Sequence, residues 1–180
     1  RPSKAGPENI IPEMAALFVN GRMLGRIYTD SGETLFGDPA HAAQKAALQQ
    51  MAAYGAAGIE YLRFGEYLHP LEWDAPLPEV TVQESVSDSK VKLPAVLQSV
   101  TRSYADGSVG IALVNIGTQP LDLQIPLDPS ARNGASAANA QATLWRMDST
   151  GRRSKLAQGK APWRQPLTLQ PREIAFLVLQ

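Results

Sequence analysis

The chain has 180 residues, 17 Lys and Arg against 17 Asp and Glu, no cysteine, and a hydrophobic content of 44%. That length holds one ordinary domain, or a domain with an appendage, and the hydrophobic content supports a core and excludes a chain disordered throughout. A formal charge of zero gives no long-range attraction to nucleic acid or an anionic membrane, and the absence of cysteine excludes disulfides, a thiolate nucleophile and a Cys-ligated metal.

Residues 1–13 combine Pro, Gly and charge and read as an extended lead-in. The apolar run Met14–Val19 is short and closed by Asn20-Gly21, which predicts a buried strand at Ala15–Val19. Gly21, Gly25, Gly32 and Gly37 mark a loop region, with a short strand expected at Leu24–Thr29. Asp38-Pro39 predicts a helix start, because the carboxylate accepts from free first-turn amides and proline fits the first helical position. Leu48, Met51, Gly55, Ile59 and Leu62 then recur at three- and four-residue steps, with Ala43, Ala47, Ala52 and Ala56 thickening the stripe. This is one buried face of a helix running towards Leu68. Gly55 and Gly58 each lower helicity by about 1 kcal/mol, so they either pack on a neighbour or divide the element. Gly65 or His69-Pro70 ends it, and Leu71–Glu79 reads as a Pro-rich linker.

Beyond that point the pattern is β. Val80–Val82 and Val96–Tyr104 alternate weakly, and Ser108–Ile116 is apolar on both faces and therefore central. Leu121, Leu123, Ile125 and Leu127 alternate with polar neighbours and proline, as in a half-buried strand. Asp106-Gly107 is a hairpin signal, Gly117–Pro120 a turn, and residues 128–141 a small polar loop. Thr143–Met147 and Ile174–Leu179 complete an antiparallel sandwich or Greek-key barrel. Ile111, Leu113, Leu123, Ile125, Leu144, Phe176 and Val178 are its expected core.

The runs DGSVGIALVNIGTQPLDLQIPLDP, ATLWRMDSTGR and LTLQPREIAFLVL resemble the C-terminal β-sandwich of TIM-barrel glycoside hydrolases. The preceding AAYGAAGIEYLRFGEYLHPL is similar to the last barrel helix and its exit segment. The resemblance implies an α+β fragment: the end of a (β/α)8 barrel (last strand at Ala15–Val19, then the long helix) followed by an antiparallel β-sandwich. It divides the chain into a barrel segment at 1–76 and a sandwich at 77–180. It also implies a carbohydrate substrate, an extracellular or periplasmic setting, and, as partner, an upstream barrel in the same protein or in a second chain. The first residue is Arg1 and no signal peptide is visible, which fits an excised or processed piece. Barrel strands one to seven, which carry the family's usual catalytic carboxylates, have no counterpart here.

Within that frame Asp30 and Glu33, with Asp38, fall in the loop after the expected eighth strand. Such βα loops face the active site of a barrel, and two carboxylates about 5 to 9 Å apart serve as acid and nucleophile or base. The competing reading is a helix cap and two solvated turn residues. Tyr28, Phe36, Trp73 and Trp163 are candidate sugar-stacking platforms or, alternatively, plugs between layers. Tyr28 and Trp163 are retained as substrate-binding candidates. Glu66 is read as a buried carboxylate bonding the linker backbone. His41 lies in the first helical turn, where the dipole disfavours its cation, and is expected neutral and structural. With only His41 and His69, a zinc site would need carboxylate help, so neither metal nor cofactor is expected. Ser108 and Ser154 have no visible His/Asp partners for a triad. No apolar run reaches the roughly 20 residues that span a bilayer. Two functions follow: the C-terminal portion of a glycoside hydrolase, inactive alone, or a non-catalytic module binding carbohydrate or protein.

Overall fold

The computed structural model describes residues 10–22, 39–83, 89–127 and 141–180. The described chain is mainly antiparallel β. A six-stranded sheet runs in the order β1 (Glu66–Tyr67), β4 (Val96–Arg102), β5 (Val109–Asn115), β10 (Ile174–Leu179), β7 (Gln141–Met147), β8 (Arg153–Lys160). β6 (Leu121–Leu127) and β9 (Trp163–Leu169) pair as a two-stranded sheet, as do β2 (Glu79–Gln83) and β3 (Lys90–Pro94). The β6–β9 sheet covers one face of the large sheet, an arrangement compatible with the expected sandwich, and the described helices cover the other.

Strand alternation explains both cores. On β5, Ala112 and Val114 face the helices, while Ile111 and Leu113 face β6 and β9. On β10, Ile174, Phe176 and Val178 point one way, and Ala175, Leu177 and Leu179 the other. Both strands read as continuous apolar runs because both faces are covered. All seven expected core residues are buried, but Phe176 and Val178 belong to the helical side and the other five to the opposite side. β6 and β9 carry Pro126 and Pro166; each strand of a pair has a free edge, where a missing N–H is harmless. Asn115 is fully buried and ties these parts together. Its Nδ2 donates to the carbonyls of Gln119, Leu169 and Gln170 at 2.9, 3.1 and 3.1 Å, and its Oδ1 accepts from Gly117 N at 2.9 Å.

The run assigned to the eighth barrel strand is instead a helix, α1 (Ile10–Val19). Its buried residues Ile11, Met14, Ala15, Phe18 and Val19 follow helical spacing once the reading extends back to Ile10. Asn20-Gly21 closes this helix rather than a strand. Gly21, at φ 63°, donates to Phe18 O, and Arg22 donates to Leu17 O at 2.8 Å. Those two bonds form a left-handed C-terminal cap that satisfies helical carbonyls.

The long helix is divided. A 3₁₀ turn at Pro39–His41 leads into α2 (Ala42–Ala57), and α3 (Ile59–Leu62) follows Gly58. The capping position of α2 is His41, and Asp38 lies outside the described residues. A Cβ on Gly58 would stand 2.5 Å from the Phe176 ring, so the missing side chain lets α3 drop onto the sheet. The chain leaves the helix before Leu68, since Glu66 and Tyr67 already pair with Arg102 and Thr101. The resemblance implies an upstream barrel as the partner of this segment. Leu48, Met51 and Leu62 are instead buried among α1 and the sheet, and only Ile59 stays 40% exposed. Nor is Leu71–Glu79 a free linker. Leu71 is buried in the second core, its N–H bonds Gln98 Oε1 at 2.9 Å, and Gln98 Nε2 returns a bond to its carbonyl at 3.2 Å. Residues 69–74 thus form a strap held against the large sheet.

Candidate functional site

Tyr28, Asp30 and Glu33, with Phe36 and Asp38, lie outside the described residues. Trp163 is described. It opens β9 and stands opposite Leu127 of β6. It lies within the β6–β9 pairing, between Pro162 and Pro166. Its parity on the strand matches Leu167 and Leu169, which point into the core, but it sits at the end of the two-stranded sheet and is only half-buried. The indole rests on Gly159, where a Cβ would meet its ring at 3.3 to 3.6 Å. Across from it is Trp73, carried by the strap and packed against the second core.

These two indoles line a cleft of about 690 Å³. Pro70, Pro126 and Pro162 contribute rigid apolar walls, and the polar groups are His69, Glu72, Asp74 and Arg164. The Arg164 guanidinium donates to Asp74 Oδ1, linking the strap to β9 across the cleft. The Trp73 Nε1 is buried and has no acceptor. Strap placement follows from the Gln98 clamp on Leu71, which turns the alternate residues Pro70, Glu72 and Asp74 outward while Leu71 goes in. The sequence pointed to Trp73 and Trp163. It did not point to the acidic and basic residues beside them, although each tryptophan already has a charged neighbour, in LEWD and APWR.

A second polar cluster lies where α3 meets the sheet. Tyr61 is fully buried, packed closely against Gly110 and tilted 54° from Phe176 at 5.7 Å. Its hydroxyl lies 2.7 Å from Ser108 Oγ, and Arg153 donates to it at 2.9 Å. Arg153 also bonds Glu60 at 2.9 Å and lies over the Tyr61 ring. Ser108 in turn donates to Asp106, whose carboxyl is held below the usual carboxylate range chiefly by that side-chain bond and also by the Ser108 amide. Burial pushes the Tyr61 phenol up to about 12, against the lowering effects of Ser108 and Arg153. A phenol that stays protonated and a serine bonded to a carboxylate without histidine supply no base near neutral pH. The cluster pins the helix to the sheet.

Glu66 is exposed and pairs with Arg102 at 3.2 Å, rather than bonding the linker backbone from a buried site. Among the described residues no group of three His, Asp or Glu side chains is placed to hold a metal. No helix among them is long and apolar enough to cross a membrane.

No family model and no curated protein sequence matches the chain. Solved structures similar to it include glycoside hydrolases, matched over part of their length. An alpha-amylase from Geobacillus thermoleovorans shares 12% identity, with 97% of this chain and 34% of that one covered, at a TM-score of 0.45. A bifunctional glucanase-xylanase from a metagenome library shares 18% identity over 51% of this chain and 17% of that one, at a TM-score of 0.33. A glycoside hydrolase family 44 xyloglucanase from Paenibacillus polymyxa shares 15% over 51% and 18%, at 0.31. The chain thus spans from 17% to 34% of the length of these proteins. Likeness at this level assigns neither a substrate nor a reaction.

Proposed function

We propose that this chain is the C-terminal portion of a carbohydrate-active glycoside hydrolase. In this reading residues 1–76 close a catalytic barrel and residues 77–180 form the β-sandwich that stabilises it. Because Ala15–Val19 is helical, the first segment enters as a helical layer and not through that run as a strand. The observation that carries the reading is the surface of that layer. An apolar recess of about 270 Å³ opens between α1 and α2–α3, lined by Phe18, Met51, Gly55, Ile59 and Leu62, with Arg22 and Arg63 beside it. Ile59 is 40% and Phe64, just beyond α3, 66% exposed. Ile59 and the recess it lines offer a surface on which a second domain docks, and an upstream barrel is the partner that the sequence resemblance supplies. The resemblance of the C-terminal strands to sandwich domains of such enzymes supports the same reading.

The experiment compares the whole encoded polypeptide with the 180-residue chain on a panel of aryl glycosides. Hydrolysis by the former and none by the latter is expected, because acid and nucleophile must flank one bond. Turnover by the short chain that vanishes in Asp30→Asn or Glu33→Gln would instead move the active site into this chain. An encoded polypeptide without a preceding barrel would refute the reading.

A further inference from the structure

We propose that the cleft between residues 69–74 and the Trp163 end of the β6–β9 sheet is a binding subsite for a neutral oligosaccharide. Its volume of about 690 Å³ falls within the range of small-molecule sites, roughly 300 to 1,000 Å³. Two of the chain's three tryptophans meet there. Both are held in place before any ligand arrives, Trp163 on Gly159 and Trp73 against the second core. Preset aromatic surfaces lose little entropy on binding. A pyranose presents an apolar C–H face to such a ring and a rim of hydroxyls that both donate and accept.

The polar groups match that rim. Glu72 and Asp74 accept, Arg164 donates, and His69 adds an imidazole N–H donor. The charges decide the ligand class. Arg164 is engaged by Asp74, which leaves Glu72 as a formal negative excess and disfavours uronates, phosphates and nucleic acid. An apolar ligand would strip water from two carboxylates and a guanidinium without replacing their hydrogen bonds. The site needs no catalytic group and stands whether or not a barrel precedes the chain, so its test is separate from the one above.

The 180-residue chain carrying Trp145→Phe keeps Trp73 and Trp163 as its only indoles. It is titrated with maltohexaose, cellohexaose, xylohexaose and a hexagalacturonate, following intrinsic fluorescence and calorimetric heat. Saturable binding of at least one neutral hexasaccharide, tighter than the uronate, is expected. Trp163→Ala should weaken it at least tenfold with the far-ultraviolet spectrum unchanged. Arg164→Ala and Glu72→Gln lie on the exposed rim and should each weaken it several-fold, which keeps the test valid if Trp163→Ala fails to fold. No saturable binding at 10 mM sugar, preference for the uronate, or affinity indifferent to the rim variants would overturn the proposal.

Discussion

Gly110→Ala tests how the helical layer is seated on the sheet. Gly110 lies on β5, paired with Val178 and Thr101. A Cβ built there would stand 2.5 Å from both Cδ1 and Cγ of Tyr61 and 2.8 Å from its Cβ. Carbon atoms in contact prefer about 3.5 to 4.0 Å, so either ring or strand must move by roughly 1 Å. Neither moves freely. The strand is bonded on both sides, and the ring is held by Phe176, Ser108 and Arg153. Overpacking of this kind costs about 1 to 3 kcal/mol, and two pinned partners place it at the upper end. Gly110 does not take a positive φ, so alanine fits its backbone and recovers about 0.4 to 1 kcal/mol through the unfolded chain. The expected net loss is about 2 kcal/mol in urea-unfolding free energy. The decisive measurement is the same substitution in a Tyr61→Ala background. With the ring gone, alanine at 110 should be neutral or stabilising, giving a coupling of about 2 kcal/mol between the two sites. Equal losses in both backgrounds would refute the argument that Gly110 exists to admit Tyr61.

Leu123→Ala, in the second core, should lower stability by about 2 to 5 kcal/mol; a loss below about 0.5 would mean that the inner face of β6 is misassigned. Asn115→Ala should remove about 2 to 4 kcal/mol in the same assay, since three carbonyls and one amide lose their partner. The Tyr61 phenol gives a pH signature. Its folded value of about 12 lies above the unfolded value of about 10, so the stabilisation is complete below pH 10 and is lost as pH rises towards 12. Stability in that window should fall less steeply in Tyr61→Phe than in the wild-type chain; parallel curves would count against it.

The β half was legible because its signals are local. Leu121–Leu127 alternates in sequence and in burial, and Asp106-Gly107 turns between β4 and β5 with Gly107 at φ 73°. Three strands escaped for a physical reason. β8 is an edge strand carrying Arg153, Lys155 and Lys160, and mostly exposed side chains leave no alternation to read. β9 begins directly after Pro162 and carries Pro166, a composition that suits an edge and imitates a loop. β3 is short, and its lysines hide the pairing of Val91 and Leu93 with β2. α1 was misread because only its C-terminal apolar half was weighed. Ile11 and Met14 supply the helical period, and Pro12 lies in its first turn, where proline is tolerated. The cleft was half legible. Trp73 and Trp163 stand out by type, whereas their meeting depends on Gln98 seizing Leu71 from 27 residues away, a long-range contact that no local pattern announces.

The same arrangement makes the two functional readings independent. The recess on the helical side is lined by Phe18, Met51 and Leu62 of the first core, and the cleft by Leu127, Trp73 and Trp163 of the second. The six-stranded sheet separates those cores, with adjacent residues such as Phe176 and Leu177 serving opposite sides. A domain docked over α1–α3 would therefore leave the Trp73–Trp163 cleft open, and a glycan in the cleft would leave the helical surface free. Substitutions at Ile59 or Phe64 should weaken domain docking without changing sugar affinity, and those at Trp163 or Arg164 the reverse. A variant on one side that altered both would mean the sheet transmits strain between its faces. The pinned Tyr61–Gly110 seam is where that transmission would start, since Gly110 on the helical side lies between Val109 and Ile111 of the opposite core.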